Sequence, residues 1–451
     1  MDRRRFLALG AAIGTGGLAG CTFRQSAESA VGDGPEIGLE PVVRGLTFPT
    51  AMAFLPNGDR LVGERFGMVL RHTDGGLVEE PFLDVREQLS GTDNEKGLLG
   101  LALHPEFEDN RKLYVRYSGR SREWMDESYS HTAVLSEFEA TPDLTGVVPD
   151  SERHVLEVPE PGPLHNAGGL AFGTDGYLYV ALGDGQRTNL GEQDQSWWYD
   201  QGLAAQNVED NLLGGILRLD VDARTDDRGY GIPPDNPLVG EPGRDEYYAW
   251  GLRNPYRISF DGDDLFVGNV GEHIRESVYL VERGDNCGWP TLEGSSCSGS
   301  TSIGHALEED PLNAFNPKTW LAQTNRISPV KVCPTSDSAG GAFTRPIAEY
   351  HRAGSRAVTG GYVYRGDDVP SLRGQYLFGD FSRPAPLFAL DDPGEGERPQ
   401  EFTELVVAGS DDGRLDEALL SFARDPDGEL YVLSTEFAEG TGHVRRLTTP
   451  G

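Results

Sequence analysis

One hairpin pattern recurs six times along this chain. It reads AMAFLPNGDRLVGER from residue 51, LALHPEFEDNRKLYVRYS from 101, LAFGTDGYLYVALGD from 170, ISFDGDDLFVGNVGE from 258, GGYVYRGDDVPSLRGQYLFGDF from 360 and SFARDPDGELYVLST from 421. Each copy has an apolar strand, a turn rich in Asp, Asn or Gly, and a second apolar strand. Further strand candidates, such as HVLEVPE and GGILRLDVD, lie between the copies. Helical periodicity is nearly absent. Six copies leave roughly 65 residues per unit, enough for four strands and their loops. A β-sandwich rarely repeats one hairpin six times, and a β-helix repeat is much shorter. The pattern predicts an all-β fold, a six-bladed β-propeller.

The amino terminus reads MDRRRFLALGAAIGTGGLAGC. Paired arginines before Phe6-Leu7 and an apolar run are a Tat-type export address. Leu-Ala-Gly-Cys at its end resembles a lipobox, which makes Cys21 the lipidated first residue. The run is short and glycine-rich for a membrane span. Its formal match to a dinucleotide fingerprint has no strand before it and is set aside. The expected organisation is a signal over 1–21, a small, polar, aperiodic tether over 22–39, and the propeller over 40–449. Such a chain is exported and held at the cell surface, touching membrane only through the lipid.

Charge narrows the partners. With 73 acidic and 39 basic residues the formal charge is −34, which excludes a nucleic-acid binder of the usual basic kind. Only Lys96, Lys112, Lys318 and Lys331 are lysines; the other basic residues are arginines. An acid-covered, lysine-poor surface suits a protein kept soluble in high salt, where self-repulsion is screened. Acidic solubility in a GC-rich genome is the alternative. Three cysteines follow Cys21. Cys297 and Cys333 share a Ser/Thr/Pro-rich insertion and are expected to pair, while Cys287 reads as a small buried apolar residue.

The candidate chemistry starts at LHNAGGLAF, where His165 stands just ahead of a repeat's first strand. Loops at that end of a propeller converge on the central channel, and loops on a rigid scaffold carry function. An imidazole there is placed where chemistry usually sits, although a lone histidine is more often structural. Arg253-Asn254-Pro255 stands between two strands rather than on a polar face. The mature chain has no His-Glu-x-x-His, no Gly-x-Ser-x-Gly and no glycine-rich nucleotide loop.

Seven stretches then fall in a recognisable order: EKGLLGLALHPEF (95–107), LHNAGGLAFGTDGYLYVALGDG (164–185), NLLGGILRLDVD (211–222), GIPPDNPLV (231–239), WGLRNPYRISFD (250–261), VGEHIRESVYLVERGDNCGWPTLEG (270–294) and VTGGYVYRGDDVPSLRGQYLFGDF (358–381). Together they resemble the glucose/sorbosone dehydrogenase family, PQQ-dependent aldose sugar dehydrogenases, over about residues 40–445. The resemblance implies oxidation of an aldose C1 hydroxyl to the lactone, with electrons passed to an external acceptor. It implies His165 as catalytic base and Arg253 beside the reactive carbonyl of PQQ. Glu95, Asn254, Arg365 and Arg383 fall at cofactor-contacting positions. A Ca²⁺ ion is implied at Gly271-Glu272, held partly by backbone carbonyls. Leu164 and Tyr256 stand where some members carry polar residues near the sugar, so the sugar is left open. The long loop over 295–345 is a candidate cover for the site. Two other readings stay open: a cofactor-free propeller that binds glycans or a protein partner, and a calcium-dependent lactonase.

Overall fold

The structure, a computed structural model, describes residues 34–127, 129–185, 205–225, 228–297, 335–337, 340–352, 356–394 and 396–451. The expected signal and Cys21, the loop residues 298–334 and Cys333 lie outside the described residues. Cys297 is disulfide-bonded, to a partner outside them, and Cys287 is a buried free thiol.

All six repeated hairpins form, and each supplies the two innermost strands of one blade. Blade one opens with Pro49–Phe54 and Arg60–Glu64, blade two with Leu98–Leu103 and Lys112–Gly119, blade three with Leu170–Phe172 and Leu178–Leu182. Blade four opens with Pro255–Asp261 and Asp264–Asn269, blade five with Val358–Val363 and Tyr376–Asp380, blade six with Ala418–Arg424 and Leu430–Thr435. Further strands continue each blade outward, antiparallel except for Val406–Val407 at the edge of blade six. The six inner strands touch one another in a closed ring. Helix among the described residues is confined to single turns at Phe107–Asn110 and Pro370–Leu372. The chain is a six-bladed β-propeller.

Propeller sheets pack face to face, so middle strands are buried on both sides and read as continuous apolar runs. Leu178–Leu182 is buried at every position. Six apolar clusters result, one between each pair of neighbouring blades. The ring closes where Glu36–Leu46 joins blade six as an outer strand, antiparallel to Gly442–Thr448. That strand begins at Glu36, so the last four residues of the expected tether belong to the propeller.

Inner strands all begin at the same end of the ring, called here the entrance face. Below it the channel is crossed by Arg257 of blade four. Its guanidinium donates to Ser421 Oγ in blade six at 3.0 Å and to the Thr50 carbonyl in blade one at 2.8 Å. The same group lies 4.1 Å over the ring of Tyr256.

Candidate active site

The hairpin register of blade three builds the first half of the site. Leu170 faces Val180 and Phe172 faces Leu178. Continued past the strand ends, that pairing brings the residues before 170 beside those after 182. His165 Nδ1 accordingly lies 2.6 Å from Asp184 Oδ1, with both side chains buried. The approach is close: a Cβ on Gly183 would collide with the His165 carbonyl, so only glycine fits there. His165 (φ 58°) and Ala167 (φ 51°) are left-handed, which costs on the order of 1 kcal/mol or more at each position.

Hydrogen bonds from blade two, from the loop leading into it and from the start of blade four hold that strained segment. The Asn166 N–H donates to Glu95 Oε2 at 3.2 Å, and the Ala167 N–H donates to Asn254 Oδ1 at 3.0 Å. Arg116 donates to the Asn166 carbonyl at 2.8 Å. Asn254 Nδ2 also reaches Glu95 Oε2, at 3.4 Å.

Arg253 joins the pair through Asp184. Its carbonyl accepts the Asp184 N–H at 2.8 Å, and its backbone N–H donates to Asn269 Oδ1 at 3.1 Å. The guanidinium gives Nη1 to the Val270 carbonyl at 3.2 Å and lies 5.6 Å from the Trp289 ring centre. Its Nε is buried with no protein partner, a donor left for something else. Trp289 Nε1 donates to Asp184 Oδ2 at 2.8 Å, so both carboxylate oxygens are occupied. Burial pushes the Asp184 carboxyl up, but His165, Arg253 and Trp289 outweigh it and hold the group below the usual carboxylate range. An ionised Asp184 can only accept, so the His165 proton sits on Nδ1 and the Nε2 lone pair is free to take a proton.

Four expected site residues, His165, Arg253, Asn254 and Glu95, are thus brought together. Arg365 is not. It pairs with Asp261, Nε to Oδ1 at 3.1 Å, and Asp261 ends the inner strand that Pro255 begins. A strand of that length puts Arg365 about 20 Å from Asn254, at the far end of the channel. Arg383 does reach the entrance face, just past Asp380, but Nη2 pairs with Glu436 at 3.1 Å and the side chain is largely exposed.

The expected calcium position has other partners. The Gly271 carbonyl accepts from Arg352 Nη1, and its N–H donates to Glu276 Oε2 at 3.3 Å. The Glu272 N–H is taken by Glu293 Oε1 at 2.7 Å. A guanidinium beside this carbonyl does not fit a bound cation. Among the described residues no three His, Cys, Asp or Glu side chains group as a metal site. Asp184 and Trp289 received no role from sequence reasoning. Hairpin register pointed to Asp184, and Trp289 lay inside a motif already noted.

Comparison with known proteins agrees with the fold. Residues 46–332 match the model of the glucose/sorbosone dehydrogenase family. The chain belongs to this family. Among relatives, human Hedgehog-interacting protein is 29% identical over 421 residues, 91% of this chain and 52% of that protein. Aldose sugar dehydrogenase YliI of Escherichia coli is 28% identical over 259 residues, 56% of this chain and 62% of that protein. This family member spans about half the length of its Hedgehog-interacting relatives. The PQQ-bound aldose sugar dehydrogenase structure from Streptomyces coelicolor superposes with TM-score 0.61 at 20% identity, covering 90% of this chain and 96% of that one. It shares the fold.

Proposed function

We propose that this chain is an oxidoreductase that oxidises the C1 hydroxyl of an aldose to the lactone, with PQQ as oxidant. The observation that carries the reading is the buried Asp184–His165 pair with Arg253 beside Asp184, the Arg253 Nε having no protein partner. His165 Nε2 takes the C1 hydroxyl proton, and Asp184 stabilises the imidazolium that results. Arg253 Nε–H donates to an oxygen on which negative charge builds as hydride leaves C1. When bound, PQQ supplies the two-electron acceptor for that hydride and is reoxidised by an external carrier. Trp289 occupies the second Asp184 oxygen, leaving the first to His165.

The residues present fit the carbonyl end of a flat quinone through Arg253 and Asn254. Its carboxylates would need Arg383 to exchange Glu436 for them, which an exposed pair does at little cost. No step is drawn through calcium. We further propose export through the amino-terminal signal and anchoring at Cys21.

A second reading is a propeller of this family that binds a glycan or protein partner. The Hedgehog-interacting relatives favour it, as does the absence of Arg365 from the site. Titrating the purified chain with PQQ in high salt, then adding a panel of aldoses, separates the two. Saturable binding followed by reduction supports the enzyme; no binding supports the partner-binding propeller.

A further inference from the structure

Behind the His165 segment lies a buried arginine–glutamate pair that the reaction does not use. Arg116, on the second strand of blade two, is 1% exposed, and Glu160, at the end of that blade's outermost strand, is 0% exposed. Arg116 Nη2 lies 3.0 Å from Glu160 Oε1 and 2.8 Å from the carbonyl of Asn166. Those are the guanidinium's protein hydrogen bonds; Nε and Nη1 are buried without a partner, as is Glu160 Oε2.

Burying an arginine and a glutamate is unfavourable unless their hydrogen-bonding capacity is met. Here much of it is not, so stability is a poor explanation for the pair. What the pair does reach is the carbonyl of Asn166, the residue between two left-handed ones, His165 and Ala167. Returning that segment to an ordinary backbone conformation would swing the imidazole off Asp184. Glu95 and Asn254 restrain the segment through its N–H groups; Arg116 restrains its carbonyl side. Nearby His131 is kept neutral by burial and by the Arg116 and Lys96 charges, titrating near about 3. It adds no competing charge.

We infer that Arg116, oriented by Glu160, is a positioning residue that locks the backbone of Asn166 so that His165 is held on Asp184. This rests on the reading of His165 as the base. The test replaces the pair by apolar side chains of similar size, Arg116→Met with Glu160→Leu. A second variant, Arg116→Lys, keeps the charge but ends one bond short of the Nη2 that makes both contacts. The first readout is independent of turnover: the low-field proton signal of His165 Nδ1 in protein carrying ¹⁵N-labelled histidine. Both variants should lose or shift that signal while melting within a few degrees of the parent. Turnover should fall by roughly 10²-fold, the effect of an ångström-scale misplacement, with aldose KM and PQQ affinity within about twofold. An unchanged signal with parental turnover overturns the inference, and so does collapse of the fold in the lysine variant. If the parent reduces no PQQ, the functional reading fails while the proton signal still decides the positioning claim.

Discussion

Asp184→Asn isolates what the buried carboxylate does. Asp184 is 3% exposed and accepts two donors, His165 Nδ1 at 2.6 Å and Trp289 Nε1 at 2.8 Å. Hydrogen bonds to a charged group contribute about 1.5–3 kcal/mol each. Asparagine offers one oxygen and one NH₂ in the same space. If the oxygen stays on Trp289, the NH₂ faces His165 Nδ1, the tautomer inverts and Nε2 carries the proton. If it stays on His165, the NH₂ meets the indole N–H and a buried donor is left unpaired. In the first case both charge-assisted bonds become neutral; in the second one is lost and the other becomes neutral. The release of a buried charge offsets part of this, leaving a net loss of about 2 kcal/mol of stability. Turnover should fall by roughly 10²–10⁴, the usual contribution of a positioned base. Dye-linked turnover across pH, with melting temperatures alongside, measures both. Turnover within threefold of the parent at every pH would refute the tautomer argument.

Three other outcomes follow from the same geometry. Arg253→Lys should preserve the fold and sugar affinity but slow the reductive half-reaction by roughly 2–4 kcal/mol in barrier height; parental rates of PQQ reduction in this variant would remove Arg253 from the chemistry. Burial pushes the Glu160 carboxyl up to about 8 against the pull of Arg116, so between its ordinary range and about pH 8 the folded chain holds a proton the unfolded chain has lost. That contribution is full at the acid end and gone above about pH 8; the fall in melting temperature from pH 6 to 9 should flatten in Glu160→Gln, and an unaltered slope contradicts it. With a formal charge of −34, the melting temperature should climb as salt rises from about 0.1 M to several molar and the Debye length shrinks to a few ångström. A flat salt profile would remove the high-salt reading of the surface.

The blades were legible because a hairpin is local: turn residues and apolar strands lie within a few positions of each other. Ring closure was not, since Glu36–Leu46 pairs with Gly442–Thr448 from the other end of the chain, and its pattern does not name that partner. His165, Arg253, Asn254 and Glu95 were legible as a set only through family resemblance. Their proximity depends on where the inner strands of neighbouring blades start. Arg365 failed for the complementary reason. It sits past the end of an inner strand, so the strand's length carries it away from the entrance face. Asp184 needed only the register of a hairpin already recognised. Gly271 was chosen for its carbonyl, and no sequence pattern announces that Arg352 and Glu276 occupy its peptide.

Anaerobic rapid mixing of the PQQ-loaded chain with an aldose reads hydride transfer itself. The oxidised PQQ absorbance should fall as a single exponential, slowed when the sugar carries deuterium at C1 and slowed by roughly 10²–10⁴ in His165→Ala that still binds PQQ. An absorbance that stays constant with every aldose, or a His165→Ala variant that matches the parent, would contradict the proposed function.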